Sequence, residues 1–438
     1  MHLLLAPPTA LGELHGILSK TSKPKQIMTS STMSHPPLGT SERLSGVRYE
    51  IRGPIARRAH ELELVGYEII YLNIGNPGRF GFRTPEPMRL AMIENLVRSE
   101  AYCHQKGIFP AREAVVMQQQ NRGVNDVTAE EVFLGNGVSE LIDLTLRALL
   151  NSDDEVLVPS PDYPLWTAAV ILNGGKPVHY PCKREDGFIP DIATIEKLVS
   201  PKTRAIVVIN PNNPTGAVYP QSTLEGIVEV ANKNNLLVMS DEIYDNILFD
   251  EAEHFPLAPM MKGGRCATYG GLSKVYRACG YRIGWVSFTG MHENERDYLQ
   301  AVELLASLRL CSNVPGQWAV QTALGGYQSI VDLTSEGGRL FESRRTVIES
   351  VEKSEFLSLV EPAGAMYAFL QIQHPKLVDF DDYDFAMDLL EKKHVLVAPG
   401  SSFNYPHKDS FRITILPEPN VIADVFERID QLLKSYVE

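Results

Sequence analysis

From about Val132 onward, short β-branched and apolar runs alternate with longer stretches whose apolar residues recur at helical spacing. This is the pattern of a mostly parallel sheet covered by helices, an α/β fold. The segment EVFLGNG leads into VSELIDLTLRALL, where Val138, Leu141, Ile142, Leu149 and Leu150 fall at roughly helical intervals. Strand candidates follow at EVLV (155–158), RAIVVIN (204–210), LLVMS (236–240), ATYG (267–270) and IGWVSF (283–288), each ending in polar or turn-forming residues. Ligands of open α/β sheets bind beyond the carboxyl ends of the strands, so those residues are where chemistry is expected. Past about residue 330 the pattern changes to a long charged helix, GGRLFESRRTVIESVEKS, a Pro/Gly turn and strands such as MYAFLQI and FRITILP. That is the pattern of a second, smaller α+β domain.

The chain has 438 residues, enough for two globular units, with a formal charge of -13 that argues against a nucleic-acid or anionic-lipid surface. No apolar run approaches the roughly 20 residues needed to span a bilayer. The five cysteines (Cys103, Cys182, Cys266, Cys279, Cys311) are scattered, without CxxC spacing. They indicate neither a disulfide framework nor a metal site, and a reducing, cytoplasmic setting fits. Residues 1–44 are rich in Ser, Thr, Pro and Lys and poor in acids. A disordered extension, an organelle-targeting segment and a true start at Met28 or Met33 all fit this composition.

Four strand ends share a chemical logic. In LGNGVSEL, Gly137, Val138 and Ser139 open a helix whose free N–H groups could seat a phosphate, although such a turn alone is an ordinary cap. VVINPNNPTG ends in residues that by themselves read as a turn. LLVMSDEIYD puts Asp241, Glu242 and Tyr244 at the end of a buried strand, where carboxylates are costly unless partnered. In YGGLSKVYRACGYRIGW, Lys274 follows a Gly-Gly-Leu-Ser turn and Arg282 stands eight residues later.

The last segment resembles the Schiff-base signature of the class I, fold-type I aminotransferases that use pyridoxal 5'-phosphate (PLP). Asn213, Asp241 and Lys274 occur in the order and at the separations of that superfamily. Over residues 46–438, IRGP, LNIGNP, FGF, GNGVSELI, PDYPLWTAAV, INPNNPTGAVY, DEIYD, GLSKVYR and LGGYQSI resemble the bacterial-type alanine (glutamate–pyruvate) aminotransferases. The resemblance implies a large PLP-binding domain over 81–330 with a sheet of the seven-stranded type, and a small C-terminal domain over 331–438. It also implies that the segment 45–80 packs with the small domain.

Residue roles follow from the same resemblance. Lys274 is expected to anchor the cofactor and move the substrate proton, tasks that need a neutral amine. Asp241 holds the proton on the ring nitrogen, Asn213 and Tyr244 bond the ring's 3-oxygen, and Tyr163 stacks on the ring. Gly137, Val138, Ser139, Ser273 and Arg282 hold the phosphate, and Tyr102 reaches it from the other subunit of a homodimer. Arg412 clamps the substrate α-carboxylate, with Gly75 giving close backbone approach, while Tyr49 and Arg52 are candidates for the far end of a longer substrate. Without the resemblance, Arg412 reads as an exposed strand residue. Two positions depart from the usual pattern: Arg277 stands where a small residue is common, and Gly271 where many relatives carry a serine, which removes a phosphate contact.

Amino acids and 2-oxo acids are thus the expected substrates, with transamination between L-alanine and 2-oxoglutarate foremost. A different or broader amino-donor range and a PLP-dependent β-eliminating lyase are the alternatives. A PLP-sensing regulator is disfavoured because the roughly 45 residues before the matched region hold no helix-turn-helix pattern.

Overall fold

A computed structural model describes residues 38–48 and 53–438. Seven strands form the larger sheet: β1 (Val132–Gly135), β2 (Glu155–Ser160), β3 (Lys176–Pro181), β4 (Thr203–Ile209), β5 (Leu237–Asp241), β6 (Cys266–Gly271) and β7 (Gly284–Thr289). Their order is β1-β7-β6-β5-β4-β2-β3. Neighbours run parallel except around β7, which is antiparallel to both β1 and β6.

The central strands read as unbroken apolar runs because both faces are covered. Every residue of β5 is buried, as is every residue of β4 except Arg204. Successive side chains feed two separate cores. Ile206, Val208 and Val238 point into one, and Ala205, Val207, Leu237 and Met239 into the other. The helix expected after EVFLGNG runs Val138–Leu149 and buries Leu141, Ile142, Leu144 and Leu146.

Five of the seven strands coincide with the apolar runs read from the sequence. β3 does not, because KPVHYP is an edge strand: Lys176 is exposed and two prolines are tolerated where one side needs no donors. β1 is the short run VFLG just ahead of the helix.

The smaller sheet contains β8 (Leu357–Leu359), β9 (Tyr367–Ile372), β10 (Ala398–Pro399) and β11 (Ser410–Thr414). It is antiparallel, in the order β10-β11-β9-β8. The charged helix expected before it is Arg339–Lys353. Upstream, Ile70–Tyr71 pairs in parallel with Val395–Leu396, and the Leu72 carbonyl accepts from Thr414 N at 2.9 Å. This crossing ties the chain just before Asn73 and Gly75 to the smaller sheet. Residues Glu42–Glu438 group as one compact unit. No helix among the described residues is long and apolar enough to cross a membrane.

Candidate active site

A cleft of about 730 Å³ opens at the carboxyl ends of β4, β5 and β6, closed on its far side by residues of β9 and β11. Asp241 is the last residue of β5, and Lys274 follows β6 by three residues. The Lys274 Nζ donates to the Gly75 carbonyl at 2.7 Å. Buried Asp241 accepts from the Trp166 indole N–H at 3.0 Å. Burial pushes its carboxyl up to about 6, against the opposing pull of the Trp166 hydrogen bond. Its second oxygen accepts only a long contact from the Ile243 N–H, 3.4 Å, so the buried acid is under-compensated and a cation placed against it would relieve it.

Arg412 corrects the bare reading of FRIT. It is 1% exposed, on β11. Its guanidinium donates to Asn213 Oδ1 at 2.7 Å and to the Asn73 carbonyl, and lies 4.2 Å from the Tyr367 ring centre and 4.5 Å from that of Phe403. Because the Asn213 oxygen faces the guanidinium, its amide N–H₂ is left to donate elsewhere in the cleft. The Tyr244 hydroxyl lies 3.1 Å from that of Tyr367.

Gly137 has φ +86°, and a Cβ there would come within 2.5 Å of Arg282 Nη2. The positive φ is what calls for glycine here, and a Cβ would also displace the Arg282 guanidinium. Val138 and Ser139 begin the helix, and Arg282 donates to the Cys279 carbonyl at 3.0 Å and the Asn136 carbonyl at 3.3 Å. A helix N-terminus faced by an arginine, with Ser273 on the same cleft wall, has the donors and positive charge to hold an anion. Tyr163, which also lines the cleft, directly precedes the helix Pro164–Leu172.

The two departures from the family pattern have local causes. A Cβ on Gly271 would lie 2.9 Å from the Ile283 carbonyl oxygen and 3.2 Å from the Gly284 Cα, so a serine would need the backbone to move. Arg277 points away from the chemistry. It donates to the carbonyls of Arg83 (3.2 Å) and Val275 (2.8 Å) and to the Ser329 hydroxyl (2.7 Å), stapling surface loops.

The structure brings together Gly75, Val138, Ser139, Tyr163, Asn213, Asp241, Tyr244, Ser273, Lys274, Arg282 and Arg412 around one cleft, with Gly137 behind Arg282. Tyr102 is 78% exposed and stands outside the lining. Tyr49 and Arg52 lie outside the described residues.

Sequence reading missed three residues. Trp166 fixes Asp241 and packs edge-on against Tyr269, whose hydroxyl is 2.8 Å from Thr145 on the Val138–Leu149 helix. Tyr367 lines the cleft from β9. Asp162, fully buried beside Tyr163, accepts from Thr167 at 2.6 Å and Asn404 at 2.8 Å, and the Thr167 hydroxyl lies 2.9 Å from His179 Nε2. Trp166 had a usable signal, since it stands one helical turn after Tyr163 in PDYPLW.

Asp162 gives a pH expectation. Burial raises its carboxyl to about 7 despite hydrogen bonds from Thr167 and Asn404. In the unfolded chain it titrates near about 3.9. The folded state therefore holds an extra proton between those values, so this group's contribution to stability falls as pH rises through that window and is level above it. An asparagine at 162 can donate to Thr167 and accept from Asn404, keeping the network satisfied without a charge. Asp162→Asn should thus raise Tm by roughly 2–4 °C at pH 8 and change it little at pH 5. Equal shifts at both pH values would contradict the assignment.

Residues 68–429 match the family model for aminotransferases of class I and II. The chain belongs to this family. It is 46% identical over 400 residues to the glutamate-pyruvate aminotransferase AlaA of Escherichia coli K12, covering 91% of this chain and 99% of that protein. It is likewise 46% identical over 410 residues to an alanine aminotransferase of Mycobacterium bovis, covering 93% and 95%. Among solved structures, an alanine aminotransferase from Pyrococcus furiosus superposes with a TM-score of 0.85 at 35% identity, over 91% of this chain and 100% of that one.

Proposed function

We propose that the cleft binds PLP and that the protein transfers the amino group of L-alanine to 2-oxoglutarate, giving pyruvate and L-glutamate. The observation that carries this reading is the convergence of an amine (Lys274), a buried carboxylate (Asp241) and a buried guanidinium (Arg412) on one cleft. The names of the relatives at 46% identity favour alanine as donor.

PLP, when bound, supplies an electron sink for the electron pair left at the substrate Cα. The chain's residues do the rest. The Lys274 amine anchors the cofactor and then carries the proton to and from the substrate. Asp241 keeps a proton on the ring nitrogen, its carboxylate held in place by the Trp166 indole N–H and the Ile243 N–H. Asn213, through its free N–H₂, and Tyr244 donate to the ring's 3-oxygen. Tyr163 covers the ring face, and Gly137, Val138, Ser139, Ser273 and Arg282 take the phosphate. Arg412 receives the substrate α-carboxylate beside the Gly75 backbone. We also take residues 81–330 as the cofactor-binding domain and 331–438, with the 45–80 segment, as the smaller one.

Transfer in two halves requires a pocket that admits a methyl side chain and a carboxylate-bearing one in turn. Arg52, with Tyr49 three residues before it in the sequence, is the proposed contact for the longer substrate. Losing a desolvated charge pair costs roughly 2–5 kcal/mol. Arg52→Ala should therefore raise KM for 2-oxoglutarate and glutamate far more than for alanine, and Arg412→Ala should weaken both. Equal losses for the Arg52 variant would make it structural. A panel of amino donors tests the substrate itself, and a tenfold preference for aromatic or branched-chain donors over alanine would overturn it.

A homodimer completes the site, with Tyr102 reaching the phosphate held by the other subunit. Its 78% exposure in the single chain fits a residue that finds its partner across an interface. Mixed dimers of Tyr102→Phe and Lys274→Ala subunits should regain one site with both native residues. Failure of every such heterodimer to recover activity would count against sharing.

A further inference from the structure

Tyr367 is buried at the start of β9 and lines the cleft, yet none of the roles above uses it. Its ring packs edge-on against that of Tyr244, centroids 5.8 Å apart, and its flat face covers the Arg412 guanidinium at 4.2 Å. A phenylalanine would fill the same volume, so packing does not explain the hydroxyl. That hydroxyl lies 3.1 Å from the Tyr244 hydroxyl. A Cβ on residue 75 would overlap it, so the backbone that accepts from Lys274 is shaped around this oxygen.

In a hydroxyl pair one partner donates and the other accepts. If Tyr244 spends its single proton on the cofactor's 3-oxygen, Tyr367 must be the donor to Tyr244.

We propose that Tyr367 is a positioning residue for the reaction: its hydroxyl donates to Tyr244 and thereby directs the Tyr244 proton at the cofactor ring oxygen. The inference rests on the proposed contact between Tyr244 and that oxygen. A donor on the Tyr244 oxygen polarises its O–H bond, so Tyr244 stabilises the ionised ring oxygen more strongly. Without it, the lysine-bound chromophore should hold its proton to higher pH.

The test is the pH titration of the visible absorption of PLP-loaded wild type, Tyr367→Phe, Tyr244→Phe and the double variant. A neutral hydrogen bond of ordinary strength corresponds to a shift on the order of half to one pH unit. Tyr367→Phe should move the titration upward by that amount, Tyr244→Phe further in the same direction, and the double variant no further than Tyr244→Phe. Tyr367→Leu, which also uncovers Arg412, should in addition raise KM for both alanine and 2-oxoglutarate. If Tyr244→Phe shifts the titration while Tyr367→Phe does not, the inference fails and the Tyr244 contact stands. Additive shifts would show that Tyr367 acts independently of Tyr244 and overturn the proposal. If Tyr244→Phe itself is flat, the Tyr244 assignment falls and the inference with it.

Discussion

Lys274→Ala should abolish steady-state transamination, lowering turnover by at least about four orders of magnitude, while the fold and the phosphate seat survive. The amine is both covalent anchor and proton carrier in the proposed chemistry. Its removal leaves the hydrogen bond to the Gly75 carbonyl unmade but creates no buried hole, because the side chain projects into the cleft. Wild-type protein should be yellow, and borohydride reduction followed by peptide mapping should place the label on Lys274. Label on another lysine, or an alanine variant retaining a tenth of the activity, would show the assignment to be wrong.

Asp241→Ala should lower turnover by roughly a thousandfold with cofactor still bound, since the proposed phosphate residues are untouched while the charge against the ring nitrogen is lost, along with the acceptor of the buried Trp166 indole N–H. Burial raises the Asp241 carboxyl to about 6. Meeting a ring cation would reverse that elevation and stabilise the ionised form. Asp241→Glu should be milder, and Asp241→Asn nearly as severe as alanine because it restores a hydrogen bond without the charge. Near-normal turnover of the alanine variant would mean that another group controls the ring nitrogen.

Much of this site was legible because its residues sit in compact local motifs at strand ends. Lys274, Asp241 and the Gly137–Ser139 turn each carry their signal within a few neighbours, and the fold places them as those neighbours suggest. What stayed hidden depends on partners far apart along the chain. Trp166 meets Asp241 across 75 residues, and Tyr367 meets Tyr244 across 123. No local periodicity encodes such a pair. Arg412 looked exposed because FRIT alternates like a half-solvated strand, whereas β11 lies between β10 and β9 and is buried throughout. At Gly271 the missing serine has a cause the local motif does not show: the Ile283 carbonyl and the Gly284 backbone, brought alongside by the neighbouring strand, leave no room for a side chain. β3 escaped notice for a third reason, since an edge strand with two prolines lacks the apolar run by which central strands announce themselves.

Single-turnover mixing of the PLP-loaded protein with L-alanine, without any acceptor, tests the proposed transamination most directly. Each subunit should release one pyruvate, retain the amino nitrogen with a blue shift of its visible absorption, and return to the starting spectrum when 2-oxoglutarate is added, yielding one glutamate. Release of free ammonia, or pyruvate formed continuously without an acceptor, would contradict it.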